Sequence, residues 1–158
     1  MRLLSLTALA VFILDQITKV LVVHVMNLKA LGAVDVLPPF LNFRMAWNRG
    51  INFGLFDFGA AGRWVLVALA LAISAALIVW ARRGGWLQAV GAGVIVGGAL
   101  GNVWDRVKYG AVADFINMSC CGIRNPFAFN VADAAIFGGA ALLIVFGRSP
   151  AEEPRNRT

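Results

Sequence analysis

Apolar residues in this chain fall into long, almost uninterrupted runs at residues 3–25, 64–81, 86–104 and 126–147. About 20 residues of α-helix rise about 30 Å, the thickness of a bilayer's hydrocarbon core, so each run is long enough to cross a membrane. The expected fold is a mainly α membrane protein with four transmembrane helices. Only Arg82-Arg83-Gly84-Gly85 separates the second run from the third, which leaves room for a tight reversal and predicts an antiparallel helical hairpin. An even number of spans returns both termini to one side.

The segments between the runs carry other patterns. In the first long loop, residues 26–63, Leu41, Phe43, Met45 and Trp47 alternate with Asn42, Arg44, Ala46 and Asn48, the period of a strand with one apolar face. Gly50 and Gly54 flank Ile51-Asn52-Phe53, which suits a hairpin or bulge. A small outer sheet lying on the membrane surface follows. A second outer loop, residues 108–125, contains Asp114-Phe115-Ile116 as a short amphipathic element. The chain reads as one membrane domain over residues 1–148 and a disordered tail from 149 to 158. Met1-Arg2 and the apolar residues after it have the outline of a signal peptide. The run passes Asp15 and Lys19 to Val25 without a small-x-small site, so it is expected to be a retained first span.

Composition strengthens this picture. Of 158 residues, 60% are hydrophobic and 14% charged, where soluble domains carry roughly 25% charged residues, so the apolar excess must face lipid. The length leaves no room for a separate soluble module. The net charge of +6 forms no continuous basic stripe, which argues against a nucleic-acid partner and for membrane lipids with anionic headgroups. The number of basic residues favours neither side. The Arg82-Arg83 pair in the shortest loop and the basic tail beyond Arg148 are read as cytoplasmic. The cysteines, Cys120 and Cys121, are adjacent, which provides neither a disulfide framework nor a CxxC motif.

Polar groups within the runs point to chemistry, because lipid tolerates them only when they are paired or used. Asp15, Thr18 and Lys19 share one helix face, with the acid and the base one turn apart; the structural reading is an ion pair near the headgroups with Lys19 snorkelling. In the third run Gly93, Gly97 and Gly101 recur every fourth residue beside Gly98, so a neighbouring helix can approach closely. That run ends in Asn102, Asp105 and Arg106, again on one face. The fourth opens with Asn130 and Asp133 on one face and no base on the same helix. Asp133 must therefore stay protonated, share a proton with another acid, or face a water-filled groove. Asp114 is the best candidate partner, as the second carboxylate of a proton-sharing dyad at one edge of the bilayer. His24 is the only histidine, so neither a Ser-His-Asp triad nor an HExxH zinc site is written here.

With these residues in place, the chain resembles the lipoprotein signal peptidases, or signal peptidase II. The matching blocks are Asp15-Gln16-Ile17-Thr18-Lys19, Asn48-Arg49-Gly50-Ile51-Asn52-Phe53-Gly54, Gly97-Gly98-Ala99-Leu100-Gly101-Asn102-Val103-Trp104-Asp105-Arg106, Val112-Ala113-Asp114-Phe115 and Phe129-Asn130-Val131-Ala132-Asp133. The resemblance implies an inner-membrane aspartyl endopeptidase that removes signal peptides from diacylglyceryl-modified prolipoproteins, cutting before the lipidated cysteine. It implies a dyad of Asp114 and Asp133, with Asn48, Gly50, Asn102, Arg106 and Asn130 supporting the site or the substrate. Asp15, Lys19 and Asp105 are expected to be structural polar residues. The resemblance further implies a small sheet and a short helix on the periplasmic side, cytoplasmic termini, no metal or organic cofactor and no obligate protein partner. Residues 117–125 depart from the family pattern, where a shorter connection ending in a Trp-Pro-like element is expected and Asn125-Pro126-Phe127 stands instead.

In such a dyad one carboxylate is the general base on a water while the other, protonated, donates to the scissile carbonyl oxygen. The rival reading is a small proton-coupled transporter or channel with a relay through Asp15, Asp105 and Asp133. A relay needs polar steps throughout the membrane depth, and the second span offers only Ser74.

Overall fold

The computed structural model describes residues 1–50, 59–120 and 125–147. The expectations for Ile51 to Gly54, Cys121 and the tail lie outside the described residues. Helix α1, Arg2–Lys19, continues directly into a wider π-helical segment, Val20–Val25, giving one apolar rod of 24 residues. The short helix α2, Leu28–Leu31, follows Asn27, whose φ of 56° reverses the chain. Then come β1, Ala33–Leu37, β2, Leu41–Asn48, and the long helices α3, Gly59–Ala81, and α4, Trp86–Tyr109. Strand β3, Val112–Met118, and helix α5, Val131–Phe146, complete the described chain.

The protein is mainly helical, and among the described residues three helices are long and apolar enough to cross a membrane. The fourth apolar run is shorter as a helix than its sequence suggests. Residues 126–130 lie outside the helix, and α5 has 16 residues, a rise of about 24 Å. The reason is local: Phe129 pairs with Ile116 of β3, and Asn130 caps the helix. The other long helices overrun their expected bounds, α3 beginning at Gly59 and α4 reaching Tyr109 before Gly110, at a φ of 78°, ends it.

Helix α4 is the centre of the bundle and packs against α1, α3 and α5. Its glycines make this possible. A Cβ on Gly93 would lie 2.7 Å from the Leu4 carbonyl oxygen, and one on Gly97 would collide with that of Ala8, so the 93, 97, 101 stripe is the seat of α1. Gly98 meets α5 instead, where a Cβ would lie 2.5 Å from the Ala132 oxygen. The outward faces remain apolar, as at Ile144, 82% exposed, which suits lipid rather than water.

The sheet is antiparallel in the order β1-β2-β3. The alternation read at 41–48 is a strand, but a register shift interrupts it. Phe43 pairs with Ile116 and Ala46 with Asp114, so Arg44 and Met45 stand opposite Phe115 alone. That extra residue shifts the alternation by one, so that Ala46 and Asn48 oppose Asp114 and Val112 while Trp47 opposes Ala113. Ala113 and Phe115 pack with Val22, Val23 and Leu28 in an apolar cluster that Phe43 and Met45 extend, which fixes the sheet to the end of α1.

Candidate active site

Three elements deliver the acids and their partners. β3 carries Asp114, 3% exposed, beside the end of α4, and the first turn of α5 carries Asp133. Asn130 builds that turn as a reciprocal cap: its Oδ1 accepts from the Asp133 amide at 2.9 Å, and Asp133 Oδ2 accepts from the Asn130 amide at 3.3 Å.

The side-chain amide of Asn130 faces the other way. It donates to Asp114 Oδ1 at 2.7 Å and to Asn102 Oδ1 at 3.2 Å, while Asn102 Nδ2 donates to Asp133 Oδ1 at 2.8 Å. Asn48 Nδ2 donates to Asp114 Oδ2 at 3.1 Å. Every carboxylate oxygen of the pair thus accepts a hydrogen bond, three of them from asparagine side chains, which are donors that bring no charge. Burial, followed by the nearby charge of Asp133, pushes Asp114 up to about 7, against the opposing pull of the hydrogen bonds from Asn48 and Asn130 and of the Lys19 cation.

Arg106 approaches from α4. Its Nη2 donates to the Gly50 carbonyl at 3.0 Å, Nη1 reaches the Asn102 carbonyl at 3.4 Å, and Nε is buried without a partner among the described residues. Gly50 is held in turn by its amide, which donates to Asn48 Oδ1 at 3.2 Å. Asn48, Asn102, Arg106 and Asp133 form the polar end of a cavity of about 290 Å³, whose remaining walls include Leu66, Leu69, Ile73, Ile95, Ile136 and Phe137 from α3, α4 and α5. A site of this shape can take an apolar chain along the helices and present a polar bond to Asp133.

The residues expected to be structural form a second network on an adjacent face of α4. Lys19 Nζ lies 2.8 Å from Asp15 Oδ2 and 2.8 Å from Asp105 Oδ2. The expected pairing of Asp15 with Lys19 is present, but snorkelling is not: Lys19 is 5% exposed because two acids, one on a different helix, hold it inside. Sequence reasoning missed Asp105 as the second partner, and it missed Gln16, whose Nε2 donates to Asp15 at 3.0 Å and to Asp105 at 3.2 Å. A polar side chain in a span next to an acid was the available signal. The Ser119 hydroxyl donates to Asn117 Oδ1 at 3.0 Å. The Lys108 ammonium lies over the Tyr109 ring.

Apolar helices with a buried carboxylate, Asp114, and a half-buried one, Asp133, at one end suit a membrane-embedded enzyme of the two-acid type. The family model for signal peptidase II matches residues 7–147, and the chain belongs to that family. It is 51% identical over 117 residues to the lipoprotein signal peptidase of Methylorubrum extorquens (strain PA1), covering 73% of this chain and 68% of that one. With the lipoprotein signal peptidase of Methylobacterium sp. (strain 4-46) the identity is 46% over 141 residues, 88% and 84% of the two chains. A bacterial membrane enzyme solved by the in meso method at 2.3 Å resolution superposes with a TM-score of 0.76 at 27% identity, covering 97% of this chain and 92% of that one. The protein is an integral membrane endopeptidase of the aspartic type that removes signal peptides from prolipoproteins, and the transporter reading has no support.

Proposed function

We propose that Asp114 and Asp133 are the catalytic dyad, and that the substrates are diacylglyceryl-modified prolipoproteins cut just before the lipidated cysteine. The observation that carries this reading is the Asn130 side chain, which bonds to Asp114 while capping the turn that holds Asp133, itself at the polar end of an apolar cavity. Asp114 keeps the shared proton near neutral pH and donates it to the scissile carbonyl oxygen. Asp133 takes a proton from the attacking water. The roles exchange when the amine leaves. Asn48 and Asn102 fix the carboxylates without adding charge. Arg106 Nε is a donor for a substrate carbonyl, and the acyl chains lie along Leu69, Ile73 and Phe137. No cofactor takes part in this scheme.

The same reading makes α5 a fourth span. It places the sheet, α2 and the dyad on the periplasmic side of a bacterial inner membrane, with both termini cytoplasmic. Its support is the 24-residue length of α4, which separates the exposed Arg82 and Arg83 before its first turn from β3 after its last. Membrane lipids surround the bundle, and no obligate protein partner is needed.

The test is cleavage of a lipidated and an unlipidated lipobox peptide by the purified protein. The lipidated peptide should be cut and the other spared. Asp114→Asn and Asp133→Asn should each lower turnover per folded molecule by about 10³-fold or more, since an amide can neither activate water nor donate a carboxylic proton. Near-parent turnover in either variant would remove the dyad.

A further inference from the structure

The ionic cluster behind the dyad is built to a pattern that packing does not require. Asp105 Oδ2 accepts the Ala113 amide at 3.1 Å, and Ala113 is the residue before Asp114. Asp15 Oδ1 accepts the Ala132 amide at 3.0 Å, and Ala132 is the residue before Asp133. Lys19 joins the two acids at 2.8 Å on each side. The main chain immediately ahead of each dyad acid is thus tied to one ammonium group. Asp15 and Asp105 are fully buried and Lys19 is 5% exposed.

We propose that Lys19 is a positioning residue for the peptidase reaction, clamping Asp15 to Asp105 and so setting the separation of Asp114 and Asp133. The proposal rests on the assignment of those two acids as the dyad. One buried cation shared by two buried anions is a poor means of joining helices, because apolar residues of the same volume stabilise as well or better. The clamp supplies what apolar residues cannot, directional hydrogen bonds from fixed oxygens to two amides on separate elements. Two further features agree. The helix widens into its π segment at Val20, directly after Lys19, a distortion found often at functional sites. Gly101 also lacks a side chain where a Cβ would lie 2.5 Å from Asp15 Oδ2, so α4 leaves room for the carboxylate.

A second effect accompanies the first. Asp114 is faced by Asp133 from α5 and by Arg106 from α4, with Lys19 on α1 adding a positive field. Around Lys19 itself, besides Asp15 and Asp105, His24, Lys108 and Tyr109 line a cavity of about 30 Å³. Loss of the Lys19 charge favours protonated Asp114, so both limbs of the activity profile should move to higher pH.

The test is Lys19→Met, which keeps the unbranched stem and removes the ammonium, assayed on the full chain in detergent with folded protein quantified. The expected result is a kcat lower by about 100-fold with KM changed less than about threefold, as a small displacement of reacting groups produces. The bell-shaped profile should shift to higher pH, and Lys19→Arg, which keeps the charge, should bring it back and recover part of kcat. The triple variant Asp15→Asn, Lys19→Met, Asp105→Asn retains an oxygen for each amide and buries no charge, which protects folding; it should lose kcat as Lys19→Met does. Parent-level kcat and an unmoved profile in either folded variant would overturn the clamp. Failure of the dyad assignment would appear separately, as turnover by Asp114→Asn or Asp133→Asn with Lys19 intact.

Discussion

The side-chain amide of Asn130 lies 2.7 Å from Asp114 Oδ1, so the residue that starts α5 is also the hydrogen-bond partner of an acid in β3. One side chain thus ties the helix end to the strand acid. A single side chain satisfies the Asp133 amide, bonds to Asp114 and donates to Asn102. Asn130→Ala should therefore cost about 1 kcal/mol or more as a lost cap and lower activity by about 100-fold, because both acids lose orientation. Thermal unfolding in detergent and turnover per folded molecule measure the two effects. A variant that lost stability but kept its turnover would separate the cap from the site.

Activity should depend on pH as a bell, with the dyad inactive when it carries two protons and when it carries none. Stability should respond differently. Asp114 sits at about 7 in the fold, above its ordinary 3.8, so across that interval the folded state binds more proton than the unfolded chain. Stability contributed by protonated Asp114 is complete below the ordinary value and is lost as pH rises through about 7. The melting temperature of the parent should therefore fall between about pH 5 and pH 8, and Asp114→Asn should show a flatter curve. Equal slopes in the two proteins would contradict the buried, proton-holding Asp114.

The glycines of the bundle provide a steric test. Gly97→Ala directs its methyl at the Ala8 carbonyl, and Gly101→Ala at Asp15 Oδ2. Each should destabilise by about 1–3 kcal/mol, since backbone and a clamped carboxylate cannot move aside. At Gly138 a Cβ meets nothing within 4 Å, so Gly138→Ala should be neutral or stabilising by about 0.5–1 kcal/mol through helix propensity. Thermal unfolding of the three variants side by side decides it.

Topology can be tested with single cysteines in a background where Cys120 and Cys121 are serine. A cysteine at Val36, exposed in β1, should react with a membrane-impermeant thiol reagent added outside, and one at Arg83 should react only after the membrane is opened. The opposite pattern would reverse the orientation.

Much of the architecture was legible along the chain because its cause is local. Runs of apolar residues must become helices in lipid, where every backbone amide needs a partner within its own segment. The period-2 alternation at Leu41 to Asn48 marked a strand, and the spacing of Gly93, Gly97 and Gly101 marked a close helix contact. Asn130 and Asp133 at i and i+3 placed two polar side chains on one face at the start of the fourth run. Asp133 stood out because an unpaired carboxylate in an apolar run requires an explanation, and Asp114, in the loop before it, was the candidate partner.

What the sequence left open was decided between segments distant in the chain. Lys19 and Asp105 meet only because Gly97 and Gly101 let α1 lie against α4, and nothing in either segment encodes that distance. Asn48 faces Asp114 only because the extra residue between Phe43 and Ala46 shifts the strand's alternation. Asp15, read from its own helix as the partner of Lys19, proves to hold the Ala132 amide 117 residues away. Periodicity reports which way a side chain points from its own element. Which oxygen it meets depends on how helices and strands pack, and only the tertiary structure determines that.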